Sequence, residues 1–240
     1  MSGKRAVLWG ASGAIGQALV EALAASNDYA AIYAGSRSPS DARSDIIRPF
    51  AFDLLDESSI AAAAGDIAQQ GPVDLVIVAT GILHGTTCQP EKSFSSVTSA
   101  AMNTLFQVNT VGPTLIAKHM IAALPRDRRS VFAALSARVG SISDNHLGGW
   151  HSYRASKAAL NMIIANLAIE LRRTRPLAIA IGLHPGTVDS KLSAPFQKNV
   201  PARKLFLPST SAQYLLTVIN GTSLEQSGST LAWDGQTIAP

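Results

Sequence analysis

The sequence contains a single cysteine, Cys88, among its 240 residues. One thiol cannot form an intrachain disulfide, so a small secreted scaffold held together by disulfide bonds is excluded. Neither Cys88 nor the five histidines show the spacing of metal ligands, and we therefore predict no metal site. Cys88 itself is predicted to be an inert loop thiol, because no base can be assigned to it.

Charged residues are scarce as well. They make up 15% of the chain, and 20 basic against 16 acidic residues leave a formal net charge of +4. The basic residues are scattered apart from short clusters, so nothing in the sequence predicts a nucleic-acid partner. A hydrophobic content of 47% and a mean hydropathy of +0.18 predict a buried core and exclude intrinsic disorder.

Long hydrophobic runs are also missing, since none approaches the roughly 18 residues that span a bilayer. Residues 4–26 superficially resemble a secretory signal, but the three glycines and Glu21 within them argue against export. We therefore expect a soluble, cytoplasmic protein with no membrane partner. Because there is no internal repeat or low-complexity linker, residues 1–240 are predicted to form a single domain.

The residues that are present alternate between apolar runs typical of strands and the apolar spacing typical of helices. The predicted strands are 5–9, 30–34, 50–52, 73–79, 131–135, 177–183 and 229–233. The predicted helices are 14–25, 56–69, 94–124 (one helix or a pair), 152–173 and 211–220. This alternation predicts an α/β fold, a single doubly wound, Rossmann-type domain with a parallel sheet of about seven strands and helices on both faces. Ligands of such sheets bind beyond the carboxyl ends of the strands.

A glycine-rich turn joins the first predicted strand to the first predicted helix, with glycines at every third position. Glycine lets backbone amides approach a pyrophosphate at the positive end of the helix. The turn therefore predicts a dinucleotide site, although a flexible turn without a ligand would have the same composition. The residues predicted to bind are Gly10, Ser12, Gly13, Ile15 and Gly16.

Tyr153 and Lys157 lie four residues apart near the start of a predicted helix, so their side chains share one face. A phenol with an ordinary pKa of about 10 is a poor acid or base at neutral pH, but a lysine charge beside it lowers that pKa. Together with Ser136 in the preceding polar loop, the pair predicts a proton-transfer site. Taken alone, the same two residues also fit an ordinary exposed helix face.

The order of these motifs resembles that of the short-chain dehydrogenase/reductase family over the whole length of the chain. Besides the glycine turn, the matching positions are Asp53-Leu54, Gly81, Asn109, Ser136, Tyr153 with Lys157, and Pro185-Gly186. Residues 136–142 and 148–150 are similar to those of the carbonyl-reductase and C-factor-like branch of that family.

The resemblance implies an oxidoreductase that transfers a hydride between a nicotinamide and a carbonyl compound or secondary alcohol. Tyr153 would exchange a proton with the substrate oxygen, while Lys157 would lower the pKa of Tyr153 and hold the nicotinamide ribose. Asn109 would anchor a water molecule that relays protons. A serine hydroxyl, assigned to Ser136, would polarise the substrate oxygen.

The resemblance also implies further cofactor contacts. Asp53 would accept a hydrogen bond from the adenine amino group, and Leu54 would pack on the adenine ring. The end of the fourth strand would contribute Ala79, Thr80 and Gly81. The nicotinamide carboxamide would be framed by Pro185, Gly186, Val188 and Ser190.

The end of the second strand bears on which cofactor is used. Family members that use NAD typically have an acid there for the ribose hydroxyls, whereas this sequence has Ser36 and Arg37. A hydroxyl and a cation suit a 2′-phosphate, so we predict NADP rather than NAD. The alternative is that Arg37 is simply a solvated surface residue.

Three positions depart from the family pattern. Ala14 replaces a glycine common in the first turn, and Thr80 stands where asparagine is usual. The usual serine aligns with Ala137, so Ser136 or Ser141 must supply the hydroxyl, or it is absent. We expect the Ser136 Oγ within roughly 4 Å of the Tyr153 hydroxyl, provided that a bend corrects the strand direction.

The sequence therefore predicts an NADP(H)-dependent enzyme that acts on a small carbonyl compound or alcohol. The alternative is a dinucleotide-binding regulator, similar to C-factor-type signalling members, with little turnover. Trp150, Phe196, Leu205 and Phe206 suggest an apolar substrate pocket. The long helices within 94–124 and 152–173 resemble those that form dimer contacts in the family, so a homodimer or homotetramer is expected.

Overall fold

The computed structural model describes residues 3–39 and 44–240. The strands are β1 Lys4–Trp9, β2 Tyr29–Ser36, β3 Ile47–Ala51, β4 Leu75–Val78, β5 Ser130–Leu135, β6 Ala178–His184, β7 Thr187–Val188, β8 Leu205–Phe206, β9 Thr230–Ala232 and β10 Thr237–Ile238. The α-helices are α1 Ala14–Ala25, α2 Glu57–Gln69, α3 Ser99–Phe106, α4 Gly112–Met120, α5 His151–Thr174 and α6 Pro208–Gly221. A π-helical turn, Gln107–Val111, joins α3 to α4.

Eight strands form the central sheet in the order β10-β9-β6-β5-β4-β1-β2-β3. Every neighbouring pair is parallel except β9 and β10, which are antiparallel. The predicted fold class, a doubly wound α/β domain, is confirmed. The antiparallel strand β10 was not predicted, because two residues are too short to show a pattern.

Helices cover both faces of this sheet, and a separate hydrophobic cluster lies under each layer of helices. Along β1, Val7 and Trp9 pack in the cluster that includes residues of α2, α4 and α5. The intervening Ala6 and Leu8 pack on the opposite face with residues of α1 and α6. Burial on both faces explains why the parallel strands are continuous apolar runs rather than alternating ones.

The ends of several elements differ from the prediction. β3 begins at Ile47, three residues before the predicted start, and the connection before it has no helix among its described residues. α6 begins at Pro208, since the fixed backbone of proline suits the first turn of a helix. The stretch 190–208, expected to be irregular, contains short 3₁₀ turns and the strand β8, which pairs with β7.

The chain reverses direction across the sheet between β1 and β4, with β2 and β3 on one side and β5 and β6 on the other. In doubly wound sheets, ligands bind at this point beyond the carboxyl ends of the strands. The glycine turn after β1 and the segment after β4 therefore lie next to each other, as the backbone contact between Gly10 and Thr80 shows.

Candidate active site

The turn between β1 and α1 is built so that only glycine fits at two of its positions. Gly10 has φ +100, and a Cβ there would lie 3.0 Å from the backbone of Ala79 and Thr80. A Cβ on Gly16 would lie 2.1 Å from the Gly10 carbonyl oxygen. The first hydrogen bond of α1 runs from the Gln17 amide to the Gly13 oxygen. The helix amides before Gln17 therefore face the turn as donors for an anion.

Gly13 and Ala14 mark where the turn becomes a helix. Gly13 is the N-cap of α1, and a Cβ there would meet only the Gly10 oxygen, at 3.6 Å. Ala14 begins the helix with regular geometry, so alanine in place of the usual glycine is tolerated. Ile15 packs against the core beneath the turn and holds this end of the helix on the sheet.

A cavity of about 250 Å³ opens beside this turn, at the end of β2. Three hydroxyl side chains line it, those of Ser12, Ser36 and Ser38. Glu21 also lines it and accepts a hydrogen bond from Gln17. Arg37 is exposed at the same strand end, between two of the serines. The cavity thus presents hydroxyl groups and a carboxylate next to the glycine turn.

Asp53 and Leu54 follow β3 on the same edge of the sheet. The Asp53 carboxylate accepts the amide of Leu55, at 3.0 Å, and remains exposed. Leu54 packs so closely against α4 that a Cβ on Gly112 would lie 2.5 Å from its side chain. The structure brings both residues to the site edge, with Leu54 firmly positioned.

The end of β4 supplies a test of whether a nicotinamide dinucleotide fits. Thr80 Oγ1 is buried and has no hydrogen-bond partner among residues 3–39 and 44–240. A Cβ on Gly81 would lie 3.5 Å from Asn109 Oδ1 and 3.6 Å from Lys157 Nζ, so the backbone leaves an open cradle between these groups. Ala79 continues the strand by donating to the Trp9 oxygen. An unpaired hydroxyl and a cradle free of side chains fit a polar ligand laid across the strand ends.

Asn109 lies in the π-helical turn and is fully buried. Its Oδ1 accepts the Ile82 amide, and its Nδ2 donates to the Ile82 oxygen, both at 2.9 Å. Nδ2 also contacts Ser156 Oγ on α5, at 3.1 Å. Because π-helical turns are uncommon and concentrate at functional sites, this one is a signal that periodicity alone does not reveal.

Tyr153 and Lys157 are both buried on the inner face of α5. Lys157 Nζ donates to the Leu135 oxygen at 2.7 Å and lies 5.9 Å from the centroid of the Tyr153 ring. Burial raises the pKa of Tyr153 to about 12 and lowers the pKa of Lys157 to about 7. In the protein without cofactor, the pKa of Tyr153 is thus set by desolvation of the phenolate, and the lowering of that pKa by Lys157 stays a prediction.

Ser136 does not direct its hydroxyl at the substrate side of Tyr153. Its Oγ donates to Asn161 Oδ1 at 2.6 Å, and its side chain is buried. Ala137 has an extended backbone, with φ −156 and ψ 148, so successive side chains point to opposite sides and no bend intervenes. Ala137 is the one that packs against the cluster around Tyr153. The assignment of the polarising hydroxyl to Ser136 is therefore wrong, because the Ser136 hydroxyl donates its one hydrogen bond to Asn161.

Ser141 does not supply the polarising hydroxyl in place of Ser136. Its Oγ accepts the Asp144 amide at 3.0 Å and lies 3.4 Å from the Pro240 oxygen, so it stabilises its own loop. Among the described residues, the position facing Tyr153 at the end of β5 thus carries a methyl group.

The segment after β6 turns sharply beside the site. Gly186 has φ +76, and a Cβ there would lie 2.6 Å from the Phe206 ring, so the turn requires glycine. The Pro185 oxygen accepts Ser211 Oγ at 2.9 Å, and Val188 is buried. Ser190 Oγ donates to the Val188 oxygen at 3.2 Å. The predicted residues of this segment therefore form one ordered turn.

Glu91 was missed by the sequence analysis. It is buried at the N-terminus of α5, where its carboxylate accepts Ser152 Oγ and, at 3.3 Å, the Ser152 amide. Its own carbonyl accepts the Trp150 amide at 2.6 Å. An acid at the positive end of the helix that carries Tyr153 is favourable. No local pattern marks it, because its partners are distant in sequence.

Comparison with known proteins agrees with this geometry. The pattern of the family described as short chain dehydrogenase matches residues 4–201, and the chain belongs to that family. The C-signal of Myxococcus xanthus is 32% identical over 165 residues, which cover 69% of this chain and 91% of that protein.

Two solved structures share the fold over the full length of this chain. The NADPH-bound carbonyl reductase from chicken fatty liver has a TM-score of 0.84 at 24% identity, covering 100% of this chain and 96% of that one. The carbonyl reductase Sniffer of D. melanogaster has a TM-score of 0.85 at 21% identity, covering 100% of both chains. At this level of identity the likeness concerns the fold.

No helix in the described part of the chain is both long and apolar enough to cross a membrane. Within residues 3–39 and 44–240, no three His, Cys, Asp or Glu side chains are grouped closely enough to hold a metal ion.

The buried Lys157 makes stability depend on pH. Because its pKa is about 7 in the folded protein and about 10.4 in an unfolded chain, the unfolded state binds more protons between these values. Without cofactor, the free energy of unfolding should therefore rise with pH in this window, by at most about 1.4 kcal/mol per unit. Lys157→Met should lose this slope, as measured by urea denaturation at several pH values.

The exposed Lys92 provides a matched control, and Lys92→Met should keep the wild-type slope. An identical slope in wild type and Lys157→Met would show that Lys157 keeps an ordinary pKa in the folded protein.

Proposed function

We propose that this protein is an NADP(H)-dependent oxidoreductase that transfers a hydride between the nicotinamide and a carbonyl carbon or secondary alcohol. The observation that carries the proposal is the convergence of Tyr153, Lys157 and Asn109 at the carboxyl edge of the sheet, beside the glycine turn. A phenol, an ammonium group and an ordered amide in a buried setting form a proton-transfer site.

The cofactor would lie along the strand ends, with its pyrophosphate at the N-terminus of α1 and its adenosine between Ser36 and Leu54. Arg37 would contact the 2′-phosphate that distinguishes NADP from NAD. The nicotinamide end would meet Lys157 and the turn at Pro185. When bound, the cofactor supplies the hydride, and this chemistry belongs to the cofactor itself.

Tyr153 would supply the proton. Since burial raises its pKa to about 12, the phenol keeps its proton at neutral pH and can donate it to a carbonyl oxygen during reduction. Lys157, with a pKa lowered to about 7, exchanges its own proton readily and stabilises the phenolate when charged. Asn109 would hold the surrounding backbone and a relay water in place.

The competing hypothesis is a dinucleotide-binding regulator with little turnover. The 32% identity to the C-signal and the methyl group of Ala137 are consistent with it. A pure sensor, however, has no need for a buried phenol with a lysine and asparagine beside it. These three groups are the reason to favour the enzyme.

We further propose a cytoplasmic homo-oligomer that pairs through the outer face of α5. Met162 and Ile169, seven residues apart, leave 61% and 57% of their surface exposed on that helix. Apolar side chains at helical spacing are typical of helix pairing.

Tyr153→Phe tests the enzymatic function most directly. The ring and its packing are retained while the transferable proton is lost, so turnover should fall about 10²-fold or more. NADPH binding, followed by its fluorescence, should persist. The control Tyr214→Phe removes a hydroxyl from a partly exposed tyrosine on α6 and should retain full turnover. Full activity of Tyr153→Phe on every accepted carbonyl compound would refute the assignment.

Arg37→Asp tests the choice of cofactor. A charge-assisted hydrogen bond to phosphate contributes about 1.5 to 3 kcal/mol, so the Kd for NADPH should rise at least about tenfold while NADH binding improves. Fluorescence titration with both nucleotides measures the change. Arg173→Asp makes the same charge change on an exposed residue in the last turn of α5, at the end of the helix away from Tyr153. This variant should alter neither Kd. Unchanged NADPH affinity in Arg37→Asp contradicts the prediction.

Ala137→Ser tests the missing hydroxyl. The position is partly exposed and packs beside Tyr153, so a serine fits there and can donate to the substrate oxygen. One well-placed donor to a developing oxyanion contributes about 10² or more, and we expect kcat to rise by about tenfold because the site has not evolved around it. Ser136→Ala, which breaks only the bond to Asn161, should not reproduce that gain. If Ala137→Ser binds NADPH normally but its kcat equals that of the wild type, position 137 does not face the substrate oxygen.

A further inference from the structure

Apolar side chains from several segments surround Tyr153, and three of these segments matter here. Leu83 and Cys88 come from the loop after β4, and Trp150 from the residue before α5. Phe196 comes from the 3₁₀ turn Ala194–Asn199, after β7. We call Trp150 and Phe196 the aromatic wall. Their rings lie 4.9 Å apart, with an angle of 57° between their planes.

Trp150 is presented by a strained turn. Its backbone has φ 51 and ψ 40, a left-handed conformation that residues with side chains rarely adopt. Gly148 and Gly149 before it also have positive φ, of +63 and +65. Such outliers persist only where the surroundings hold them, and they concentrate at functional sites.

Several contacts hold this turn in place. The Trp150 amide donates to the Glu91 oxygen at 2.6 Å. Arg154 Nε donates to the oxygens of Gly148 and Gly149, at 3.2 and 3.0 Å. As a result the indole is fixed 6.2 Å from the Tyr153 ring, with 71° between the planes. The strain thus serves to aim one large aromatic side chain at the proposed proton donor.

Phe196 is positioned from the opposite side by His84. Because carbonyl oxygens only accept hydrogen bonds, His84 Nε2 carries the proton and donates to the oxygens of Lys191 and Leu192, at 3.2 and 3.1 Å. The His84 ring also meets the edge of Phe196, with 5.9 Å between centroids. This contact ties the segment after β7 to the loop after β4, so the aromatic wall is braced at both ends.

We propose that the aromatic wall makes the site selective for carbonyl compounds that carry a planar aromatic ring on the carbonyl carbon, with Trp150 as the main specificity-determining residue. This inference rests on the proposed function. With a carbonyl oxygen at the Tyr153 hydroxyl, the group attached to its carbon would lie beside the aromatic wall, because the Trp150 ring centroid is 6.2 Å from that of Tyr153. A planar ring there gains aromatic contacts that a puckered ring of equal size does not.

The test compares acetophenone with cyclohexyl methyl ketone, which have the same carbon skeleton and differ in the planarity of the ring. The ratio of their kcat/KM values is measured for wild type and for Trp150→Leu. Dividing one ratio by the other cancels the intrinsic reactivity of the two ketones. We expect the preference for acetophenone to fall about three- to tenfold in Trp150→Leu, the range that aromatic pairing supports.

Two variants serve as controls. Trp150→Phe retains an aromatic ring and should keep most of the preference. Phe94→Leu removes an aromatic residue that stacks on His151 at the same end of α5 but is 80% exposed, and it should leave the ratio unchanged. NADPH binding and the melting temperature confirm that each variant is folded. An unchanged ratio in a folded, NADPH-binding Trp150→Leu overturns the proposal.

A second readout separates this proposal from the proposed function. Saturation-transfer NMR on the NADP⁺ complex measures binding of the two ketones without turnover. Stronger transfer to acetophenone in wild type, lost in Trp150→Leu, supports the aromatic wall even if neither ketone is reduced, in which case the proposed enzymatic function is what fails. Equal transfer to both ketones in wild type overturns the aromatic preference while leaving the hydride-transfer function standing.

Discussion

Because helices cover both faces of the parallel sheet, polar groups in its central part can meet a ligand only where the strands end. β1, β4, β5 and β6 all finish at one edge, and the chain reverses direction between β1 and β4. The close approach of Gly16 to the Gly10 oxygen then brings the start of α1 against that edge. The other residues of the site depend on this shared edge for their positions.

Burial also determines the chemistry of the central pair. Tyr153 and Lys157 lie on one face of a long helix that packs against β6 and α3, so both side chains are removed from water. Desolvation favours the neutral form of each group, which raises the pKa of Tyr153 to about 12 and lowers the pKa of Lys157 to about 7. A phenol that keeps its proton and a lysine that titrates near neutrality suit proton donation to a carbonyl oxygen.

The alternation of side chains along a strand explains why the site departs from the family pattern at the end of β5, at Ser136 and Ala137. Ser136 and Ala137 point to opposite sides because the backbone between them is extended. The hydroxyl therefore joins a buried contact with Asn161, which also accepts Thr230 Oγ1 at 3.0 Å. The methyl group faces Tyr153 in its place. A shift of one residue in sequence thus exchanges a catalytic hydroxyl for a structural one.

Sequence alone determined the alternation of the longer parallel strands with helices, the glycine turn, and the pairing of Tyr153 with Lys157, since these depend on local spacing and on contacts within one helix. Tertiary structure decided what depends on distant segments: the π-helical turn around Asn109, the direction of the Ser136 hydroxyl, the buried Glu91 and the aromatic wall. The sign of the Tyr153 pKa shift belongs to the second group. A sequence shows which charge is nearby, whereas desolvation arises only when α5 is packed against the sheet.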